Sequence, residues 1–227
     1  MRKIISIVVM LVVSAISVIS CAANDSNAAA DSKTRKEKSM ETILSGKKIL
    51  VAFFSHTGEN YGVGNISEGN THIIAKMILS EIAANRFAEA TGDLFFEIVP
   101  ENDYPHDSYD EVVEIAKKEQ AKKARPAIKG DVKVEDYDVI FIGYPNWWSD
   151  MPMPVYTFLE KHDWNGKIVV PFCTHEGSGL AGTERYVANA CKGATVVKGL
   201  AVRGETAQNN REQALATVAA WIEELNW

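Results

Sequence analysis

Ser55, Thr57 and Thr71 offer hydroxyl donors and Asn70 offers an amide, all within SHTGENYGVGNISEGNT at residues 55–71. Gly58 and Gly69 let the backbone come close to a ligand. An apolar-periodic run begins near Thr71. A helix starting there aims its free N–H groups and positive dipole end back at the stretch. These are the parts of a phosphate site. The stretch has no Lys or Arg and carries Glu59 and Glu68. A triphosphate site wants Gly-Lys-Ser/Thr, which is absent, and the dinucleotide pattern GxGxxG fails because Gly62 and Gly64 are followed by Ser67 in the third place. Two readings remain: a phosphate monoester held by neutral donors, or an Asn/Gly-rich surface loop that ends in an ordinary helix cap.

Two further stretches carry unusual residues. GYPNWWSDMPMP at 143–154 has consecutive Trp147 and Trp148. One of them caps the core in the plain reading, and the other could stack on a flat ring. Gly143, Asn146 and Ser149 leave backbone groups for the edge of a heterocycle, and Asp150 stands beside them. CTHEGSGLAG at 173–182 places glycines on both sides of Ser178. A hydrolase nucleophile elbow needs G-x-S-x-G, and the triad order also fails because His175 precedes Ser178 and no His follows it. His72, His106 and His162 read as surface residues.

Something must bring these stretches together, and the chain alternates strand and helix patterns. Buried strand runs fall at 47–55, 94–100, 137–144, 167–173 and 195–202. Helical periodicity falls at 71–84, 109–124, 154–161, 180–190 and 208–225. Pro171 is awkward in a central strand. Five strands alternating with five helices predict an α/β protein: a parallel sheet, doubly wound, with helices on both faces. In such sheets ligands sit beyond the carboxyl ends of the strands. The loops after the first, third and fourth strands are the three stretches above. Between Gly58 and Asn70 lie eleven residues, Glu59–Gly69. Glu59-Asn60-Tyr61 does not start a helix, whereas Asn70-Thr71 does. The excursion therefore reads as a compact surface loop whose ends nearly touch, interrupting a single Ser-His-Thr-Gly-Asn-Thr turn.

The N-terminus has a different character. Arg2 and Lys3 precede an uncharged run from Ile4 to Ser20, then Val18-Ile19-Ser20-Cys21. This resembles the lipobox of bacterial lipoproteins, which implies a signal peptide at 1–20, lipidation of Cys21 and an exported, membrane-anchored protein. Residues 21–46 read as a lipidated Cys and flexible tether without aromatic residues, leaving 47–227 as the folded domain. Removing Arg2 and Lys3 from a net charge of −6 leaves −8. An acidic domain does not suit nonspecific nucleic-acid binding. Cys173 ends a strand, and Cys191 lies far along the next helix. Eleven helical residues at about 1.5 Å each put them some 16 Å apart, beyond disulfide reach. No Cys/His spacing suggests a metal.

ILVAFFSHTG, GYPNWWSDMPMPVYTFLE and PFCTHEGSG together resemble the flavodoxin family, over residues 47–225. The resemblance implies a five-stranded sheet of order 2-1-3-4-5 that binds FMN noncovalently. It places Ser55, His56, Thr57, Asn70 and Thr71, with Gly58 in the same turn, around the phosphate. Pro145, Asn146, Trp147 and Trp148 would meet the isoalloxazine from one side, and Thr174, His175, Gly177 and Gly179 from the other. The implied function is electron transfer through FMN to a redox partner protein or small acceptor. An NAD(P)H-dependent oxidoreductase of quinone-reductase type and a flavin-binding scaffold without a redox role are the alternatives. The excursion and the lipoprotein leader depart from soluble flavodoxins.

Overall fold

The run ILVAF forms β1 (Ile49–Phe53), and every residue of it is buried. Its alternate side chains enter two different cores. Ile49, Val51 and Phe53 pack with Ile73, Ile78, Val218 and Ile222 on one face. Leu50 and Ala52, with Phe54 after them, pack with Val112, Val155, Phe158 and Leu159 on the other. A strand covered on both sides has no reason to alternate polar and apolar residues. The computed structural model describes residues 46–84 and 94–225. The leader, Cys21 and the tether as far as residue 45 lie outside the described residues.

After β1 the chain forms a hairpin, β2 (Gly58–Asn60) and β3 (Gly64–Ile66), and then α1 (Asn70–Ala84). Next come β4 (Phe95–Glu97), β5 (Val99–Pro100), α2 (Tyr109–Lys122) and β6 (Ile128–Lys129). A short 3-10 turn at Val134–Asp136 leads to β7 (Val139–Pro145), α3 (Met153–Lys161), β8 (Ile168–His175) and α4 (Thr183–Ala190). The chain closes with β9 (Thr195–Val196), β10 (Leu200–Arg203), α5 (Gly204–Asn209) and α6 (Arg211–Glu224). The main sheet runs β4-β1-β7-β8-β10 with every pair parallel. This is the expected order 2-1-3-4-5.

Several elements differ from the sequence reading. The second strand is split: β4 joins the main sheet, while β5 pairs antiparallel with β6 outside it. The fifth strand is also broken, and both halves pair with β8. The register slips by one residue between Val169↔Val196 and Phe172↔Leu200. Pro171 lies opposite the break and supplies no N–H to this edge. The carbonyls of Lys167 and Val169 accept from Thr195 and Val197 on the same edge. Gly199 fills the gap, where a Cβ would come within 3.0 Å of the Pro171 carbonyl. The final helix likewise divides at Asn210, whose side chain accepts from the Gln213 N–H and caps α6.

Gly143 has a packing role instead of the open-backbone role expected of it. It lies inside β7, its carbonyl accepts from the Phe54 N–H at 2.9 Å, and a Cβ there would overlap the Phe172 ring. Cys173 and Cys191 are buried free thiols, as the spacing predicts. No helix among the described residues is long and apolar enough to cross a membrane.

Candidate functional site

Ser55 follows the carboxyl end of β1, and His72 in the first turn of α1 lies seventeen residues from it in sequence yet beside it in space. The Ser55 hydroxyl oxygen accepts the His72 N–H at 3.1 Å. That N–H is one of the donors that a helix leaves unpaired in its first turn, and the residue just before the helix usually supplies its acceptor. Here that residue is Gly69. A Cβ on it would overlap Ser55 Oγ and approach the His56 carbonyl to 2.6 Å. The cap must therefore come from Ser55, across the excursion. Ser55 and His56 lie against Gly69 and the first turn of α1, so Ser55 and the start of α1 form one turn.

Ile73 donates to the Gly69 carbonyl at 3.1 Å, the first regular bond of α1. The N–H groups of Asn70 and Thr71 precede it and have no partner within the helix. Asn70 is held by its side chain, whose Oδ1 accepts from Gln208 Nε2 at 2.8 Å. Thr71 is buried, and its hydroxyl pairs with that of Thr174 at 2.8 Å. That bond joins the first loop to the third. Thr57 turns elsewhere, with its hydroxyl 3.1 Å from His106 Nδ1. Gly58 is needed for close approach, since it has φ 84° and a Cβ there would overlap the His106 carbonyl.

His56 points inward. Its ring stacks on His106 at 5.2 Å and 11°, and it meets Trp147 edge-on at 6.0 Å. Its Nε2 is buried without a hydrogen-bond partner. Burial holds its pKa below the ordinary histidine value, the nearby His106 adds to the effect, and Asp103 and the Pro105 carbonyl oppose it. The surface reading of the other histidines needs one correction: the His162 side chain is only 5% exposed and packs edge-on against Phe158.

The second loop is a tight turn. Trp147 and Asp150 exchange two backbone hydrogen bonds, at 2.9 and 3.0 Å. Trp148 and Ser149 between them have φ of 54° and 59°. A two-residue turn of this hand normally uses Asn-Gly or Gly-Gly. Two ordinary side chains in the left-handed region cost about 1–2 kcal/mol each, and such outliers cluster where function constrains the backbone. The turn sends the two indoles apart. Trp147 caps the core, edge-on to Phe54 at 5.4 Å and Tyr104 at 5.1 Å. Trp148 is 49% exposed, donates to the Val113 carbonyl at 3.2 Å and has Lys117 over its ring at 5.3 Å. Asp150 faces away, accepting from Tyr156 and the Met151 N–H. A cavity of about 410 Å³ lies on that side, but its Arg125 is already consumed by a two-pronged pair with Glu160.

The third loop is bonded to the second. The Asn146 N–H donates to the Thr174 carbonyl at 2.7 Å, and its side-chain amide donates to the Gly179 carbonyl at 3.0 Å. Pro145 pairs with Thr174 in register. His175 Nδ1 accepts the Gly177 N–H at 2.9 Å, and Gly177 and Gly179 have φ of 142° and 61°. At Asn146 the two loops thus form one floor. The facing wall is supplied by Asn60 and Tyr61 on the hairpin and by Tyr109 on α2. They line a cleft of about 130 Å³ together with Asn70, Pro145, Asn146, Trp147, Thr174, His175 and Glu176. Tyr109, Asn146 and Trp147 also line an adjoining apolar groove of about 280 Å³, beside Val112, Ala116 and Trp148. The two spaces share Tyr109, Asn146 and Trp147 and together form one slot with a polar arm and an apolar arm.

The polar arm has no Lys or Arg in its lining. Its one carboxylate is Glu176, which accepts the Glu205 N–H at 2.9 Å and lies 3.8 Å from Arg203. Burial pushes its pKa up, against the pull of that N–H and Arg203. No cluster of three or more acidic, His or Cys side chains that could hold a metal occurs among the described residues.

Sheet order, crossovers and slot position define a doubly wound α/β protein of the flavodoxin-like class. The chain matches the flavodoxin family over residues 69–225 and belongs to it. The match starts at Gly69, after β1 and the hairpin. Among solved structures, a protein of Bacteroides uniformis described as a flavoprotein is 28% identical with TM-score 0.57, covering 79% of this chain and 99% of its own. One of Bacteroides eggerthii is 27% identical with TM-score 0.59, over 79% and 98%. A Lactobacillus acidophilus flavoprotein solved in complex with FMN is 24% identical with TM-score 0.49, over 71% and 95%. No curated protein matches the chain.

Proposed function

We propose that this protein binds FMN noncovalently and carries electrons through it. One observation carries the reading: Ser55 caps α1 across the excursion, and Asn70, the first residue of α1, lines the end of a slot without Lys or Arg. A monoester phosphate suits such a site, because helix N-terminal N–H groups and the helix dipole favour an anion without a paired cation. Ser55 and Asn70 would orient that end. The ring would lie over the floor formed by Asn146, Trp147 and Thr174, with its apolar end toward Val112 and Ala116. FMN supplies the reversible redox chemistry, and the protein sets its potential. Glu176 and the acidic chain disfavour added negative charge on the reduced ring and so lower that potential.

Purified protein loaded with FMN and titrated with NADPH tests the reading. A flavin spectrum that NADPH leaves unbleached supports an electron carrier. Rapid bleaching moves the assignment to an NAD(P)H-dependent reductase, and failure to take up flavin removes both. The leader supports an exported, lipid-anchored protein; fatty-acid labelling that persists in Cys21→Ser would refute that placement.

A further inference from the structure

Tyr61 is 64% exposed, yet the hairpin that carries it is fixed. The Glu59 N–H donates to the His106 carbonyl at 2.7 Å. Glu59 Oε2 accepts the Tyr109 N–H, at the first turn of α2, at 2.9 Å. At the tip, Gly62 lies so near the third loop that a Cβ would come within 3.2 Å of the Glu176 carboxyl carbon. Ile66, at the return, is buried. The hairpin therefore leaves the first loop, passes the start of α2 and reaches the third loop, across the mouth of the slot. Tyr61 and Tyr109 stand side by side with ring centroids 5.8 Å apart, inclined at 32°. Both line the polar arm, and Tyr109 stands where it joins the apolar one.

A large aromatic held this firmly, with most of its surface in water, gains little from its own packing. A flat ring in the slot would change that, because aromatic faces favour offset stacking. We propose that Tyr61 forms the outer wall of the flavin ring site and excludes a second planar molecule, such as a nicotinamide or a quinone, from that face. The inference rests on the FMN reading above. It makes the hairpin a specificity element: electrons cross its surface, and a small molecule cannot stack on the cofactor.

The test compares wild type, Tyr61→Ala and Tyr61→Phe in the full chain. Tyr61 is exposed, so neither change should impair folding. FMN binding is followed by fluorescence titration. Hydrogen exchange of the 58–66 segment is measured with and without FMN. Saturating FMN should slow exchange at the tip by about fivefold or more. Tyr61→Ala should weaken FMN roughly 5- to 150-fold, the range of aromatic stacking, and Tyr61→Phe should match wild type. Photoreduced protein is then mixed with a water-soluble benzoquinone. Two electrons pass to the quinone, which takes up two protons to become the hydroquinone as the flavin returns to its oxidised state. That rate should rise at least fivefold in Tyr61→Ala alone. An unchanged quinone rate overturns the exclusion even if affinity falls. Unaltered hairpin exchange on binding overturns the contact. A wild type that binds no FMN overturns the parent reading and this one with it, and the first titration shows this before the variants are compared.

Discussion

Gly69→Ala probes the joint between the two halves of the candidate phosphate turn. The added Cβ would overlap Ser55 Oγ and press on the His56 carbonyl. Relief requires Ser55 to swing away or the chain to shift. If Ser55 moves, the His72 N–H loses its acceptor, and loss of such a cap costs about 1 kcal/mol. If the backbone moves, overpacking adds about 1–3 kcal/mol. The cost by either route is roughly 1–3 kcal/mol. For a domain of this size each kcal/mol lowers Tm by about 2–4 °C, so a fall of roughly 2–12 °C is expected, together with loss of FMN binding. Gly64→Ala is the control. Its φ of 72° imposes backbone strain but nothing lies within 4 Å of the new Cβ. It should cost about 1–2 kcal/mol and leave FMN affinity unchanged. Thermal unfolding and FMN titration of both variants decide the matter. A Gly69→Ala protein with wild-type Tm and affinity would refute the shared turn.

Trp147→Ala should destabilise the fold by about 3–5 kcal/mol, read from urea midpoints, because Trp147 packs against Phe54, Tyr104 and His56; Trp148→Ala should stay within about 1 kcal/mol. Thr174→Val should cost about 1–3 kcal/mol by stranding the buried Thr71 hydroxyl, whereas the Thr71→Val/Thr174→Val double variant should recover much of that loss in the same assay. His56 has a pKa depressed by burial and His106, so its neutral form belongs to the folded state. Its contribution is present above the unfolded value near 6.5 and is lost as pH falls through the folded value. Urea midpoints should therefore drop between pH 7 and 5.5 in the wild type and drop less in His56→Gln; parallel profiles would refute the assignment.

The sheet order was legible because buried strands such as ILVAF and VIFIGY announce themselves by continuous apolarity. The breaks were less so. Pro171 signals trouble in its own strand, but the slip it causes appears in its neighbour at 197–199, where the local sequence gives no warning. The hairpin was unreadable as strands, since GEN and GNI show no apolar alternation and depend on contacts with His106 and Tyr109. Trp148-Ser149 hides a turn normally written with Asn and Gly. The role of Ser55 as a distant cap could be inferred only in part: the sequence suggested that Gly58 and Asn70 were neighbours, but the lack of room at Gly69 is a three-dimensional fact. Tyr109 and Glu176 were missed because a tyrosine at a helix start and a glutamate in a loop carry no signature of their own.

Parallel titration of the apoprotein with FMN and with riboflavin tests the central claim most directly, since the two differ only by the phosphate. FMN should bind at least a hundredfold more tightly, and inorganic phosphate should compete with FMN while assisting riboflavin. Equal affinities for the two flavins, or no binding of either, would contradict the assignment of Ser55, Asn70 and Thr71 to a phosphate site.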